Sequence, residues 1–96
     1  MKNKTTSRLN LKMDYLLYSY PNCSKCEKVK EYFKEKGIKY REINAGIGEG
    51  RVKFRDFYSK NKDKIQREND GAVLLPVLVK EGEIIQGLEK ILSSLN

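Results

Sequence analysis

Two cysteines, three positions apart, constrain this chain more than any other feature. Cys23 and Cys26 are its only cysteines, and they follow the apolar run Tyr15-Leu16-Leu17-Tyr18 and precede a helix-patterned stretch. Cys-x-x-Cys between a strand and a helix, in a chain otherwise free of cysteine, reads first as a redox pair. A helix opening at about Asn22 to Ser24 puts Cys23 at its exposed N-terminal end. There, unsatisfied N–H groups and the positive end of the helix dipole favour a thiolate. Lys25 and Lys28 add positive charge within about a turn, in the kind of surroundings that lower a cysteine pKa. Cys23 is therefore the expected nucleophile. Cys26 begins an apolar stripe with Val29 and Phe33, so it is expected to be less exposed and to act as the resolving thiol.

The same motif has other uses, and the ligand count bears on them. Cys-x-x-Cys is half of a four-ligand zinc site, but with no His and no further Cys this chain cannot supply four nitrogen and sulfur ligands alone. Zinc or an iron–sulfur cluster would have to bridge the cysteine pairs of two chains, so the alternative function is a dimeric metal-binding module. A structural disulfide across so short a loop restrains little chain entropy, and nothing in the sequence suggests secretion. Inert packing does not explain a second cysteine at an exposed helix start.

Ninety-six residues suffice for one domain with a modest core. No apolar run approaches ~18 residues, so no membrane span is expected. Residues 1–12 carry Lys2, Lys4, Arg8 and Lys12 with no acid, and they lack the apolar centre of a signal peptide. They read as a disordered basic tail or an expression remnant, with a domain over 13–96, Met13 as its functional start and a cytoplasmic location. Four of the +7 formal charges sit in that tail. Most of the remaining excess lies between Arg51 and Arg67, where seven basic side chains face only Asp56 and Asp63, a local +5. Such a patch can steer an acidic partner or touch nucleic acid. Charge runs usually mark a solvated helix face, so nucleic acid is not expected as a partner.

After the cysteines the elements alternate. Ser24-Lys25-Cys26-Glu27 fits a capping box and Gly37 a C′ residue, which predicts a helix over 24–36. Ile38 to Ile43 alternates as a half-exposed strand, parallel to the first if both join one sheet. Gly46-Ile47-Gly48-Glu49-Gly50 reads as a flexible connection rather than a phosphate loop, since it lacks the Lys-Ser/Thr of that motif. A second helix is expected from Arg51 to Lys64, with Val52, Phe54, Phe57, Tyr58 and Ile65 as its apolar candidates. Ala72 to Val79 is the most apolar segment and the expected sheet centre. Glu81-Gly82 predicts a tight turn into the antiparallel strand Glu83–Gln86, and Leu88, Ile91, Leu92 and Leu95 the face of a last helix. Pro76 is out of place mid-strand, because proline donates no ladder hydrogen bond. Either it begins the strand proper, or it is a cis proline beside a functional cleft.

This order, with the cysteine pair near the start and Pro76-Val77-Leu78-Val79-Lys80-Glu81-Gly82-Glu83-Ile84-Ile85-Gln86-Gly87 near the end, resembles the glutaredoxins over residues 13–96. The resemblance implies an α/β thioredoxin-like fold: β-α-β-α-β-β-α, a four-stranded mixed sheet flanked by three helices. It implies a thiol–disulfide oxidoreductase acting on protein or low-molecular-weight disulfides, with Cys23 and Cys26 catalytic, no bound cofactor and a monomeric state. By the same resemblance Pro76 is cis and packs against Cys23, the backbone of Leu75 binds the incoming thiol substrate, and Gly87 lies beside it in the cleft.

The chain also departs from the family pattern. Cys23-Ser24-Lys25-Cys26 replaces Cys-Pro-Tyr-Cys, and Tyr20 stands where many members carry a glutathione-binding lysine. Leu74-Leu75 replaces Thr-Val before the proline, and Gln86-Gly87-Leu88-Glu89 replaces a Gly-Gly pair followed by Ser or Cys and Asp. These changes thin the polar contacts to the carboxylates of glutathione. Gly87-Leu88 is similar to the Gly-Phe of ribonucleotide-reductase redoxins, so the implied reductant is either glutathione or a thioredoxin-reductase-type donor. Pro21 to Cys26 is also similar to the arsenate-reductase-like branch, which is longer and has Arg-Pro where this chain has Leu75-Pro76. Tyr20, Lys25, Leu75, Pro76, Gly87 and Leu88 are the expected substrate-binding residues.

Overall fold

The apolar run before the cysteines forms strand β1 (Tyr15–Ser19), and a computed structural model describes residues 15–95 of the chain. The expected basic tail and the Met13 start lie outside the described residues. After β1 come α1 (Ser24–Lys36), β2 (Arg41–Asn44), α2 (Gly48–Asn61), a 3-10 turn at Lys62–Lys64, β3 (Val77–Lys80), β4 (Glu83–Gln86) and α3 (Leu88–Ser94). The sheet order is β2-β1-β3-β4, with β1 parallel to β2 and antiparallel to β3, and β3 antiparallel to β4.

β1 reads as a continuous apolar run because it is an interior strand covered on both faces. On one face Leu17 and Tyr15 join Val29 and Phe33 of α1, Leu78 of β3 and Ile91 of α3 in the main core. On the other, the ring of Tyr18 lies 5.1 Å from that of Phe54 and 4.7 Å from that of Phe57, so α2 covers that side through aromatic contacts.

The far end of α1 is closed as its sequence predicts. Gly37 takes the left-handed conformation (φ 69°), its N–H bonds to the Lys34 carbonyl, and the Ile38 N–H bonds to the Phe33 carbonyl at 2.9 Å. This is a Schellman motif, and Ile38 packs on the core that holds Phe33. β2 consequently starts at Arg41, three residues later than the alternation suggested, because Ile38 ends the helix rather than pairing with β1.

Three other expectations are corrected. α2 begins at Gly48, so Gly48-Glu49-Gly50 is its first turn and not part of a loop. Gly50 is required there by close approach: a Cβ at this position would overlap the carbonyl of Asn44, the last residue of β2. Val52 is 60% exposed and no residue of α2 is fully buried, whereas Ile65 beyond it is buried. The sheet centre is shared by β1 and β3, and Ala72–Leu75 lies outside the sheet as an extended approach, tied by a bridge between Arg67 and Val73. Glu81 and Gly82, both at positive φ, make the tight turn between β3 and β4.

Register then fixes where the loops gather. Ser19 pairs with Asn44, and Val77 pairs with both Tyr18 and Gln86. The C-terminal ends of β1, β2 and β4 and the start of β3 therefore share one end of the sheet. The starts of all three α-helices meet there, with Cys23 among them.

Candidate active site

Leaving β1, the chain turns through Tyr20-Pro21-Asn22, and Asn22 adopts a positive φ of 59°, a conformation asparagine tolerates better than most residues. This delivers Cys23 to the N-cap of α1 in extended conformation, where its Sγ accepts a hydrogen bond from the Cys26 N–H at 3.1 Å. The cap is thus the cysteine itself and not Ser24. The expected capping box does not form: Ser24 lies inside the helix, and the Glu27 side chain pairs with Lys30 at 2.8 Å. Cys23 is half-buried and Cys26 is 0% exposed. The two are joined as a disulfide, with Cα atoms 5.2 Å apart.

The Leu75–Pro76 peptide bond is cis and Pro76 is buried, leading directly into β3. The Gly87 N–H donates to the Pro76 carbonyl at 3.0 Å. Leu75 is half-buried, and its own N–H and carbonyl make no hydrogen bond among the described residues. Lys25, Gly87 and Leu88 come together with Leu74 around a cleft of about 370 Å3. Tyr20 does not line that cleft. It is half-exposed, and its ring sits with Pro21 close against Gly46, on the side of β2 and α2.

Two features of the site were not anticipated from the sequence. The first is Gln86, a buried polar side chain at the end of β4. Its Oε1 accepts from the Gln66 N–H at 2.7 Å, and its Nε2 donates to the carbonyls of Gln66 and Leu74, each at 3.0 Å. The Leu74 N–H also donates to the Gln66 carbonyl. One buried side chain thereby ties down the backbone of Gln66 and Leu74, uses its own donor and acceptor in doing so, and lines the cleft. The available signal was a polar residue closing an apolar strand next to Gly87.

The second is a polar group beneath the cysteine loop. The buried hydroxyl of Ser19 donates to Glu42 at 2.6 Å, and Lys30 donates to the same carboxylate at 3.1 Å and pairs with Glu27. Burial pushes the Glu42 carboxyl up, but the hydrogen bonds from Ser19 and Lys30 outweigh it and hold the pKa below the usual carboxylate value. Lys30 is raised, chiefly by its bond to Glu27, against burial and with help from Glu42. This group ties β1, β2 and α1 together one residue before the turn to Cys23.

Among the described residues, no group of three or more His, Cys, Asp and Glu comes together as a donor set for metal. A metal held by the cysteine pair would need ligands from a second chain, as the ligand count requires.

With this geometry the chain is similar to glutaredoxin 1 from Francisella tularensis, solved in complex with cacodylate. The identity is 21% over 88% of this chain and 93% of that one, with a TM-score of 0.62. It is similar to the thioredoxin-like protein BC3987 at 23% identity and to a point mutant of that protein at 25%. Each of these matches covers 85% of this chain and 99% of the other at a TM-score of 0.61. No curated protein matches the chain. The fold is thioredoxin-like, a four-stranded mixed sheet with three helices. The glutaredoxin family model matches residues 16–85, and the chain belongs to the glutaredoxin family.

Proposed function

We propose that this protein reduces disulfides in protein or low-molecular-weight substrates through a dithiol cycle at Cys23 and Cys26. The observation that carries the reading is the asymmetry of the pair: Cys23 caps α1 and is partly open to solvent, while Cys26 is buried behind it within disulfide reach. In the reduced protein the Cys23 thiolate attacks one sulfur of the substrate disulfide. The substrate S–S bond breaks, one substrate thiolate leaves and takes a proton from water, and Cys23 is held in a mixed disulfide. The Cys26 thiolate then attacks the Cys23 sulfur and expels the second substrate thiol. Two electrons have passed to the substrate and the pair is oxidised.

The unbonded backbone of Leu75 suits it to hold the incoming chain, with Pro76 behind it. Lys25, Gly87 and Leu88 line the cleft beside it, and Tyr20 borders the loop on the other side. Glutathione, the usual reductant of the family, or a thioredoxin-reductase-type donor returns the pair to the dithiol. A monomer in the cytoplasm suits this cycle, because a reducing compartment keeps such a dithiol turning over. Among the described residues no helix is long and apolar enough to cross a membrane.

The test is a pair of variants. Cys23→Ser is expected to abolish reduction of insulin and of hydroxyethyl disulfide, and Cys26→Ser to trap a mixed disulfide visible by mass spectrometry. Full activity in Cys23→Ser would overturn the proposal, and stoichiometric zinc or an iron–sulfur chromophore in anaerobically purified protein would favour the dimeric metal module instead.

A further inference from the structure

The polar group beneath the cysteine loop has its charges on the face of α1 that also carries the resolving thiol. Lys30 follows Cys26 by four residues, a spacing that stacks two side chains about 5–6 Å apart at Cβ. Glu27, the residue after Cys26, draws the Lys30 ammonium back toward that turn at 2.8 Å, and Glu42 holds it from the sheet at 3.1 Å. One cation thus stands between two carboxylates, +1 against −2. The hydrogen bonds from Ser19 and Lys30 keep Glu42 ionised at neutral pH. The side chains of Lys30 and Glu42 are only 24% and 33% exposed, so solvent screens their charges less than it would at the open surface.

The other charged groups around the pair do not cancel this arrangement. Neighbouring residues of β2 point to opposite faces, and Arg41 acts on Tyr18, on the side that α2 covers. Tyr40 shares the face of Glu42, with its ring 4.7 Å from that of Phe33. β1 contributes the buried Ser19 hydroxyl, and α3 brings Glu89 and Lys90, one charge of each sign, to the cleft beside Lys25. On α1, Lys25 and Lys28 are exposed. Cys26 itself is fully buried, and its thiol must lose a proton before the sulfur can attack Cys23 in the mixed disulfide. An unpaired ammonium one turn away would favour that loss. The second carboxylate on Lys30 removes the advantage and leaves net negative charge behind the thiol.

We propose that Glu42 is a positioning residue for the redox pair: by holding the Lys30 ammonium engaged behind Cys26, it keeps the resolving thiol protonated and slows its attack on the mixed disulfide. The inference rests on the redox reading for what Cys26 does, and the charge effect is measured without turnover. In the full-length protein carrying Cys23→Ser, the rate at which iodoacetamide alkylates Cys26 at neutral pH reports its thiolate fraction. Glu42→Gln is expected to speed alkylation about threefold, because a roughly tenfold gain in thiolate is partly offset by its lower nucleophilicity. Lys30→Met is expected to slow it by a similar factor. Ser19→Ala cuts the tie to β1 but keeps both charges, and is expected to leave the rate unchanged. A purely structural role predicts otherwise, since loosening the loop would expose Cys26 and speed alkylation in all three variants. Acceleration in Lys30→Met or Ser19→Ala, or an unchanged rate in Glu42→Gln, would overturn the proposal. If the Tm shows that Glu42→Gln does not hold its fold, the sign of the change in Lys30→Met decides the matter. The expected alkylation pattern in a protein that reduces no disulfide with Cys23 in place would leave the charge effect standing and remove the redox reading.

Discussion

Gln86 carries more structure than its place in the sequence suggests. Replacing it with leucine keeps most of the volume but strands the Gln66 N–H and the Leu74 carbonyl, for which it is the partner. An unsatisfied buried group costs on the order of 1–3 kcal/mol, and here Gln66 is exposed and Leu74 half-buried, so Gln86→Leu should lower stability by about 1–2 kcal/mol in urea unfolding. It should also raise KM for disulfide substrates, because the wall at Leu74 loosens. A stability within 0.5 kcal/mol of the parent, roughly the spread of neutral surface changes, would show that these bonds are replaced by water. Glu42 makes a prediction in pH. Its folded pKa lies below the ordinary value, so its contribution is present above the unfolded pKa and is lost as pH falls through the folded one. Glu42→Gln should therefore destabilise the protein at neutral pH by about 1–2 kcal/mol, discounted for partial exposure. The gap to the parent should close only as pH falls below the ordinary carboxylate range, where the parent's own carboxylate takes up its proton. Neither residue announced itself in the sequence, since a strand-terminal glutamine and a strand glutamate read as ordinary exposed positions until the fold brings Gln66 and Ser19 to them.

At the scale of elements, α1 was legible at its C-terminal end because Gly37 signals the Schellman closure directly. Its start was also placed correctly, yet the capping residue was not, since a cysteine at the N-cap is not among the usual side-chain caps. The start of α2 was missed because glycines between elements usually mark loops, and here Gly50 answers to a steric demand from Asn44 that only the packed structure contains. The two glycines therefore differ in what they resist. Gly50→Ala must displace backbone and should cost about 1–3 kcal/mol or more, by analogy with overpacked cores. Gly37→Ala meets open space and should cost only the left-handed penalty, about 1–2 kcal/mol. Denaturant midpoints of the two variants would check the ordering, and equal losses would remove the steric argument. β2 was misplaced for a related reason: Ile38 and Tyr40 alternate as a strand should, but their side chains serve the helix closure and the core.

For the whole molecule, the resemblance carried by the cysteine spacing, Pro76 and the order of elements implied the mixed sheet and its three flanking helices, and the structure has both. What the sequence left open is how the departures from the family pattern act together, because residues distant in the chain meet only at one end of the sheet. Under the proposed redox cycle, the departures at Gln86-Gly87-Leu88 from the family pattern lead to the expectation of a protein reductant, with glutathione as the alternative outcome. Oxidised protein offered glutathione with its reductase, and separately thioredoxin reductase, is expected to be reduced faster by the second. Loss of the disulfide can be followed by thiol titration, and preferential reduction by glutathione would reverse that assignment.

The segment from Gln66 to Leu74 is held by a short set of bonds: Glu68 N–H to Ala72, Gly71 N–H to Glu68, Ala72 N–H to the Asp70 side chain, Leu74 N–H to Gln66, and three shared with the Gln86 side chain. With so few ties it forms a natural unit of sub-global opening, whose amides should exchange with solvent deuterium together and ahead of those in β1. Because Leu74 walls the cleft beside Gly87 and Leu88, an occupant of the cleft that favours the closed segment would slow that exchange.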